Sequence, residues 1–177
     1  MAQFRFAPAS EDDARAILAW RYDSPYAIYN APDGAPLDGY IAEILDRRSP
    51  HFAMRLDATP ASAQPDGFFA RGSAGEVGAE PDAPPEPHLS RADGWITIGL
   101  GLRPDLTGQG LGLAFVEAGL ALARASYKSP GFRLFVYAWN QRAQRVYERA
   151  GFAAVGRAGA PNSAGQPAFI EMLRPEP

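Results

Sequence analysis

Gly108, Gly110 and Gly112 stand at alternate positions in "LTGQGLGLAF", just ahead of a run with helical spacing. A helix start leaves backbone N–H groups without partners and carries partial positive charge. Glycines there remove the Cβ atoms that would block an anion's approach. The chemistry on offer is phosphate binding by the main chain. A tight turn, with glycines for packing, accounts for the same residues equally well. Two better-known phosphate motifs do not fit. A P-loop needs a lysine and a Ser or Thr after its second glycine, and Gly112-Leu113-Ala114 supplies neither. A dinucleotide loop needs G-x-G-x-x-G directly off its strand, whereas here "RPDLT" intervenes and the spacing is G-x-G-x-G.

A second block, "LFVYAWNQRAQRVYERAGF", adds two polar groups on one line. Asn140 and Tyr147 are two helical turns apart, so both side chains lie on one face. An asparagine at a helix start can bond an amide-bearing ligand, and the phenol can sit deeper in the same groove. Taken singly, each residue also reads as a capping asparagine and a core tyrosine. The pair downstream of the glycine turn, with a strand between, shifts the balance toward a site.

Together the blocks resemble the GNAT superfamily of acyl-CoA-dependent N-acyltransferases. That family's cofactor motif, Arg/Gln-x-x-Gly-x-Gly/Ala, is followed by a strand and then by Asn, a helix, Tyr and Gly-Phe. Here the motif reads Thr107-Gly108-Gln109-Gly110-Leu111-Gly112, and the second block runs from Asn140 through Tyr147 to Gly151-Phe152. The pattern departs at Thr107, where Arg or Gln is usual. The resemblance implies acetyl-CoA as the acyl donor. The backbone of Leu100, Gly101 and Leu102 would pair with the pantetheine amides. Gly108, Gln109, Gly110, Leu111, Gly112 and Leu113 would hold the pyrophosphate. Asn140 would bind the pantetheine arm, Ala143 would leave room for it, and Tyr147 would protonate the departing thiolate as general acid. A primary amine of a small molecule or peptide would attack the thioester directly.

The family also implies an acceptor site between the early helices and the final strands. Trp20, Tyr22, Tyr26 and Tyr29 cluster in the early segment and are the expected substrate-binding residues, alongside Arg21, Asp23 and Asp33. Aromatic walls with a few charges suit a small amine or a peptide terminus. Many relatives carry a glutamate on the strands flanking the turn, but "WITIGLGL" and "FRLFVYA" contain no acid. Asp23, Asp33 and Glu171 are the other candidate bases, each expected as a solvated charge. The alternative to an enzyme is a degenerate acyl-CoA-binding sensor or accessory module.

The elements that must position these groups can be read from periodicity. "QFRFA" and "HFAMRLDA" alternate as strands, as do "DGFFARGSA", "WITIGLGL", "GFRLFVYA", "FAAVGR" and "PAFIEMLR". Ser10 with Asp13 forms a near capping box opening a helix traced by Ala14, Ile17, Leu18 and Arg21. "LDGYIAEILDRR" reads as a second helix, with Tyr40, Ile41, Ile44 and Leu45 as its apolar side. A third carries Leu111, Phe115, Ala118 and Leu122 at helical spacing, and a fourth runs from Asn140 to a C′ glycine, Gly151. The expectation is a single-domain α/β GNAT-like fold, a mixed central sheet of about six or seven strands flanked by about four helices. Residues 1–177 form one acyltransferase domain, with a substrate side at 1–65, a flexible Pro-rich loop at 78–94 and an acetyl-CoA-binding part at 95–156.

Composition removes competing classes. The 177 residues suffice for one domain with a real core. A net charge of −3, with acids and bases mixed, gives no footprint for nucleic acid. The absence of cysteine excludes disulfides and a thiol nucleophile. With only His51 and His88, both expected to be solvated, no metal is expected. No apolar run approaches membrane-spanning length, so a soluble cytoplasmic protein, a monomer or homodimer, is the expectation.

Overall fold

Phe4 and Phe6 share one side of β1 (Phe4–Pro8), and both rings pack on Phe115, at centroid distances of 5.9 and 6.2 Å. That contact decides which face of the sheet is covered by the third helix. The computed structural model describes residues 3–47, 50–72, 94–126, 128–158 and 169–176. Most of the Pro-rich segment at 78–94, with His88, therefore lies outside the described residues.

After β1 come α1 (Glu11–Leu18), α2 (Asp38–Ile44), β2 (His51–Leu56), β3 (Gly67–Arg71) and β4 (Ile96–Leu102). Then follow α3 (Gly112–Ser126), β5 (Gly131–Tyr137), α4 (Gln141–Arg149), β6 (Ala153–Ala158) and β7 (Phe169–Pro175). The strands form one seven-stranded sheet in the order β1-β2-β3-β4-β5-β7-β6. All neighbours are antiparallel except β4 and β5, which run parallel. Because side chains alternate, register assigns each residue a face. Phe6, Phe52, Phe69, Ile98, Phe132, Leu134, Val136 and Met172 point toward α3 and α4, where they meet Val116, Leu120 and Ala123. On the opposite face α1 and α2 close a smaller cluster of Ala14, Ile41 and Ile44.

The caps follow the chemistry of their residues. Ser10 accepts from the Asp13 N–H while Asp13 accepts from the Ser10 N–H, a complete capping box. Asp13 is also paired with Arg55 on β2 at 2.5 Å, which pins α1 to the sheet. Burial opposes its ionisation, but the Ser10 and Arg55 hydrogen bonds outweigh it and hold the carboxyl below its ordinary value. The first helix stops at Leu18, so Arg21 lies beyond it. In α2 only Ile41 and Ile44 are buried, whereas Tyr40 and Leu45 are exposed. The buried face of α3 is Phe115, Val116, Gly119, Leu120 and Ala123. It is rotated from the expected stripe, since apolar residues surround this helix and their spacing selects no single face.

The parallel pair β4 and β5 is in register only at Ile96↔Phe132 and Thr97↔Arg133. Beyond Thr97, β4 continues against β3 as far as Leu102, and β5 continues against β7 as far as Tyr137. The two strands therefore part at their C-terminal ends. Each leaves an edge of backbone N–H and C=O groups facing the gap.

Asp66 anchors the β4 side of this gap. It is 2% exposed, accepts from Leu56 N at 2.9 Å and Thr59 Oγ1 at 2.5 Å, and pairs with Arg103 at 3.0 Å. Asp66→Ala leaves the Leu56 N–H and the Thr59 hydroxyl without their acceptor and Arg103 with Asp105 alone, and is expected to cost about 2 kcal/mol. Urea unfolding monitored by circular dichroism measures it; a loss below about 0.5 kcal/mol would remove the anchor from this account.

Candidate functional site

Both helices that follow the parted strands begin at the open end of the gap. β4 leads through a 3-10 turn at Pro104–Leu106 into the glycine stretch and α3, and β5 leads through Trp139 and Asn140 into α4. Gly108 and Gly110 have φ of +78° and +79°, and a Cβ on either would meet nothing within 4 Å. These two are glycine because the turn is left-handed there, and the space beside them is open. Gly112 has a different reason, which corrects the expectation that all three admit an anion. A Cβ on it would lie 3.2 Å from Val146, so this glycine lets α3 pack on α4.

After Thr107, whose N–H reaches Pro104 O, the next backbone donor bonded within the protein is Phe115, to Leu111 O. The N–H groups of residues 108 to 114 therefore donate to no described group. They line the turn and the first turn of α3, where the helix dipole is positive. Gln109 is exposed and folds its amide back onto Asp105 O at 2.7 Å. Thr107 donates its hydroxyl to Pro104 O at 2.8 Å, closing the 3-10 turn. Leu113 packs against the main core, and Leu111 is half-buried.

Leu100, Gly101 and Leu102 pair with Phe69, Phe68 and Gly67 on one edge, and their other edge faces the gap. The Leu102 carbonyl accepts from the Tyr22 hydroxyl at 2.6 Å. Burial pushes that phenol well above its ordinary value, so it stays a donor. Asn140 is 7% exposed, and both ends of its side-chain amide are bonded. Its Oδ1 caps the Ala143 N–H at 3.2 Å, and its Nδ2 donates to Tyr29 Oη at 2.9 Å. The expected ligand amide is thus bonded within the protein, and its second partner is a residue 111 positions away.

Tyr147 packs edge-on against Phe152, with ring centroids 6.1 Å apart. It lies half-buried at the border of the main core, and its hydroxyl bonds to no other described group. Burial first, and the neighbouring Tyr29 second, push the phenol well above its ordinary value. The hydroxyl on α4 is therefore protonated and bonds to no other described group, with Tyr29 nearby.

Three of the four expected acceptor residues come together. Tyr29 lies 6.1 Å from Tyr22, 5.5 Å from Tyr137 and 6.3 Å from Trp139, and Tyr26 lies 5.4 Å from Trp139. Tyr137 extends the group to Phe169 at 4.2 Å. Trp20 stands apart: it is 7% exposed and packs on Phe68, so it fills the core behind the wall. Sequence reasoning missed Tyr137, Trp139 and Phe169, which carry no local signal beyond being aromatic near strand ends. It also misjudged two polar groups. Glu171 is not solvated but pairs with Arg133 at 2.8 Å, on the sheet face that also carries Tyr137 and Phe169. His51 is half-buried and lies 6.1 Å from the Phe68 ring.

Residues 3–153 match the model of the acetyltransferase (GNAT) domain. The chain belongs to the GNAT acetyltransferase family. Solved structures agree on the GNAT fold. A spermidine N-acetyltransferase chimera from Vibrio cholerae and hSSAT is 14% identical with a TM-score of 0.70, covering 98% of this chain and 95% of that one. The aminoglycoside acetyltransferase AAC(6')-Ib, in complex with coenzyme A and kanamycin, is 17% identical at 0.69, covering 98% and 95%. A putative phosphinothricin N-acetyltransferase is 13% identical at 0.68, covering 99% of each chain. At these identities the likeness establishes the fold alone. Among the described residues, no helix of this GNAT domain is long and apolar enough to cross a membrane.

Proposed function

We propose that the protein transfers an acetyl group from acetyl-CoA to a primary amine. The observation that carries this reading is the parting of β4 and β5, with the unpaired N–H groups of residues 108 to 114 at its open end. An exposed strand edge pairs with an extended amide chain, and a helix N-terminus binds phosphate. The pantetheine and pyrophosphate of acetyl-CoA present those two chemistries in one molecule. Leu100 to Leu102 would hold the former and the 108–113 backbone the latter. Ala143, small and half-buried, would leave room for the pantetheine arm on the α4 side. In this reading residues 95–156 form the cofactor side, and the segment before residue 65 contributes the acceptor wall.

Acetyl-CoA supplies an activated acyl group when bound. The chain's own share is to align a neutral amine with it, an effect worth roughly 7–11 kcal/mol where alignment is complete. The amine nitrogen forms its bond to the acyl carbon as the carbon–sulfur bond breaks, and the amine's proton must end on sulfur. Tyr147 is the residue we assign to that last step. An ordinary phenol, with a pKa of about 10, is already a weaker acid than an ordinary thiol at about 8.5, and burial widens the difference. Its role is therefore to donate a hydrogen bond to the developing thiolate and relay the amine's proton. Asn140 acts through Tyr29 and the α4 cap, so we assign it to positioning α4 beside the gap.

Tyr147 also separates turnover from a binding module, because its hydroxyl, bonded to no other described group, is free to serve a leaving sulfur that a module which only binds does not generate. The test is amine-dependent release of free CoA, followed with a thiol reagent across a panel of amines. Acetyl-CoA should also raise the melting temperature where NAD does not. Stabilisation without CoA release from any amine would leave only the binding module, and no stabilisation at millimolar acetyl-CoA would reject both.

A further inference from the structure

We infer that the acceptor carries an aromatic ring and a single carboxylate beside its amine, a class of substrate that excludes polyamines. The inference rests on the acetyl-transfer reading for its reaction and on the aromatic wall for its chemistry. Tyr22, Tyr26, Tyr29, Tyr137 and Trp139 contact one another at ring distances of 5.4 to 6.3 Å, and all are half-buried except Tyr29, which is 45% exposed. Flat side chains at these spacings offer faces and edges to another ring.

Charge narrows the class. The Arg142 guanidinium lies 4.2 Å from the Tyr26 ring centroid and pairs with no carboxylate among the described residues. It is close enough to the Tyr22 and Tyr29 phenols to favour their ionised forms electrostatically, though burial outweighs it. On the loop that carries Tyr22 and Tyr26, Asp33 faces Arg21 at 3.7 Å, and Asp23 is exposed with no ion-pair partner among the described residues. On the sheet face beneath, Arg133 and Glu171 neutralise each other. Among the described residues, Arg142 beside the rings and Asp23 on the adjoining loop are thus left without an ion-pair partner. That balance complements a molecule with one amine and one carboxylate, and a guanidinium prefers a planar carboxylate. A polyamine or an aminoglycoside would need several carboxylates here and would meet Arg142 instead.

The probes are L-phenylalanine, 2-phenylethylamine, spermidine and kanamycin, read by Trp139 fluorescence and by CoA release. L-phenylalanine is expected to give a saturable fluorescence change at lower concentration than the other three, and Trp139→Phe removes that change. Arg142→Gln should lower the preference for L-phenylalanine over 2-phenylethylamine about 10-fold, and Arg142→Lys should restore part of it. Tighter binding of spermidine or kanamycin, no response to either aromatic probe, or an unchanged preference in Arg142→Gln overturns the inference. A saturable response to L-phenylalanine without CoA release would uphold the acceptor site and overturn acetyl transfer instead.

Discussion

Replacing Tyr147 by phenylalanine is expected to lower kcat about 100-fold or more while leaving the affinity for acetyl-CoA unchanged. The substitution removes one oxygen that bonds to nothing described in the protein, so folding has little to lose. The ring keeps its packing against Phe152. What disappears is the hydrogen bond offered to the leaving sulfur, an interaction made only as the carbon–sulfur bond breaks, and a loss of that kind falls on kcat. The pH dependence adds a second signature. Burial holds the phenol above its ordinary value of about 10, so it stays protonated throughout the working range. The rate of the unsubstituted protein should therefore rise with pH as the amine loses its proton, with no decline from Tyr147 below pH about 10. A steady-state comparison at several pH values checks both. Equal kcat in Tyr147→Phe would remove this residue from the chemistry.

The second large effect falls on binding. Gly108→Ala with Gly110→Ala puts two side chains where φ is near +78°, at about 1–2 kcal/mol each. Neither Cβ meets a neighbour within 4 Å, so the cost is conformational and not steric. The turn is exposed and can relax in the free protein, which would move its N–H groups out of their common direction. Restoring that direction on binding should weaken acetyl-CoA roughly 30-fold, with kcat at saturation nearly unchanged. Isothermal titration calorimetry measures it. If the double variant binds as tightly as the parent, residues 108 to 113 do not hold the pyrophosphate.

These two predictions concern the residues most legible in the sequence. The glycine spacing, the two-turn separation of Asn140 and Tyr147, and the Ser10–Asp13 box are local patterns, and local geometry decides them. The parting of β4 and β5 is not local. It depends on where Phe132 and Arg133 fall against Ile96 and Thr97, and no periodicity in either strand encodes that register. The same limit hid the Tyr29–Asn140 bond and the Arg133–Glu171 pair, whose partners are far apart in the chain. Trp20 shows a different limit, since an aromatic residue after a helix reads alike as a core filler or a substrate wall. Gly112 shows a third: its glycine answers to Val146 on another helix, while its spacing matches the turn. In α3 the run "GLAFVEAGLALARAS" is apolar on most sides, so the buried face was set by Phe4, Phe6 and Phe69 across the sheet and not by the helix itself.

The central claim is that acetyl-CoA occupies the gap between β4 and β5 with its pyrophosphate on the glycine turn. Residue-resolved amide hydrogen exchange, with and without saturating acetyl-CoA, tests it most directly. Slowed exchange at Leu100 to Leu102 and at residues 108 to 114, with β1 and β2 unchanged, is the predicted result. Protection confined to other segments, or unchanged exchange in both stretches with the ligand bound, would contradict it.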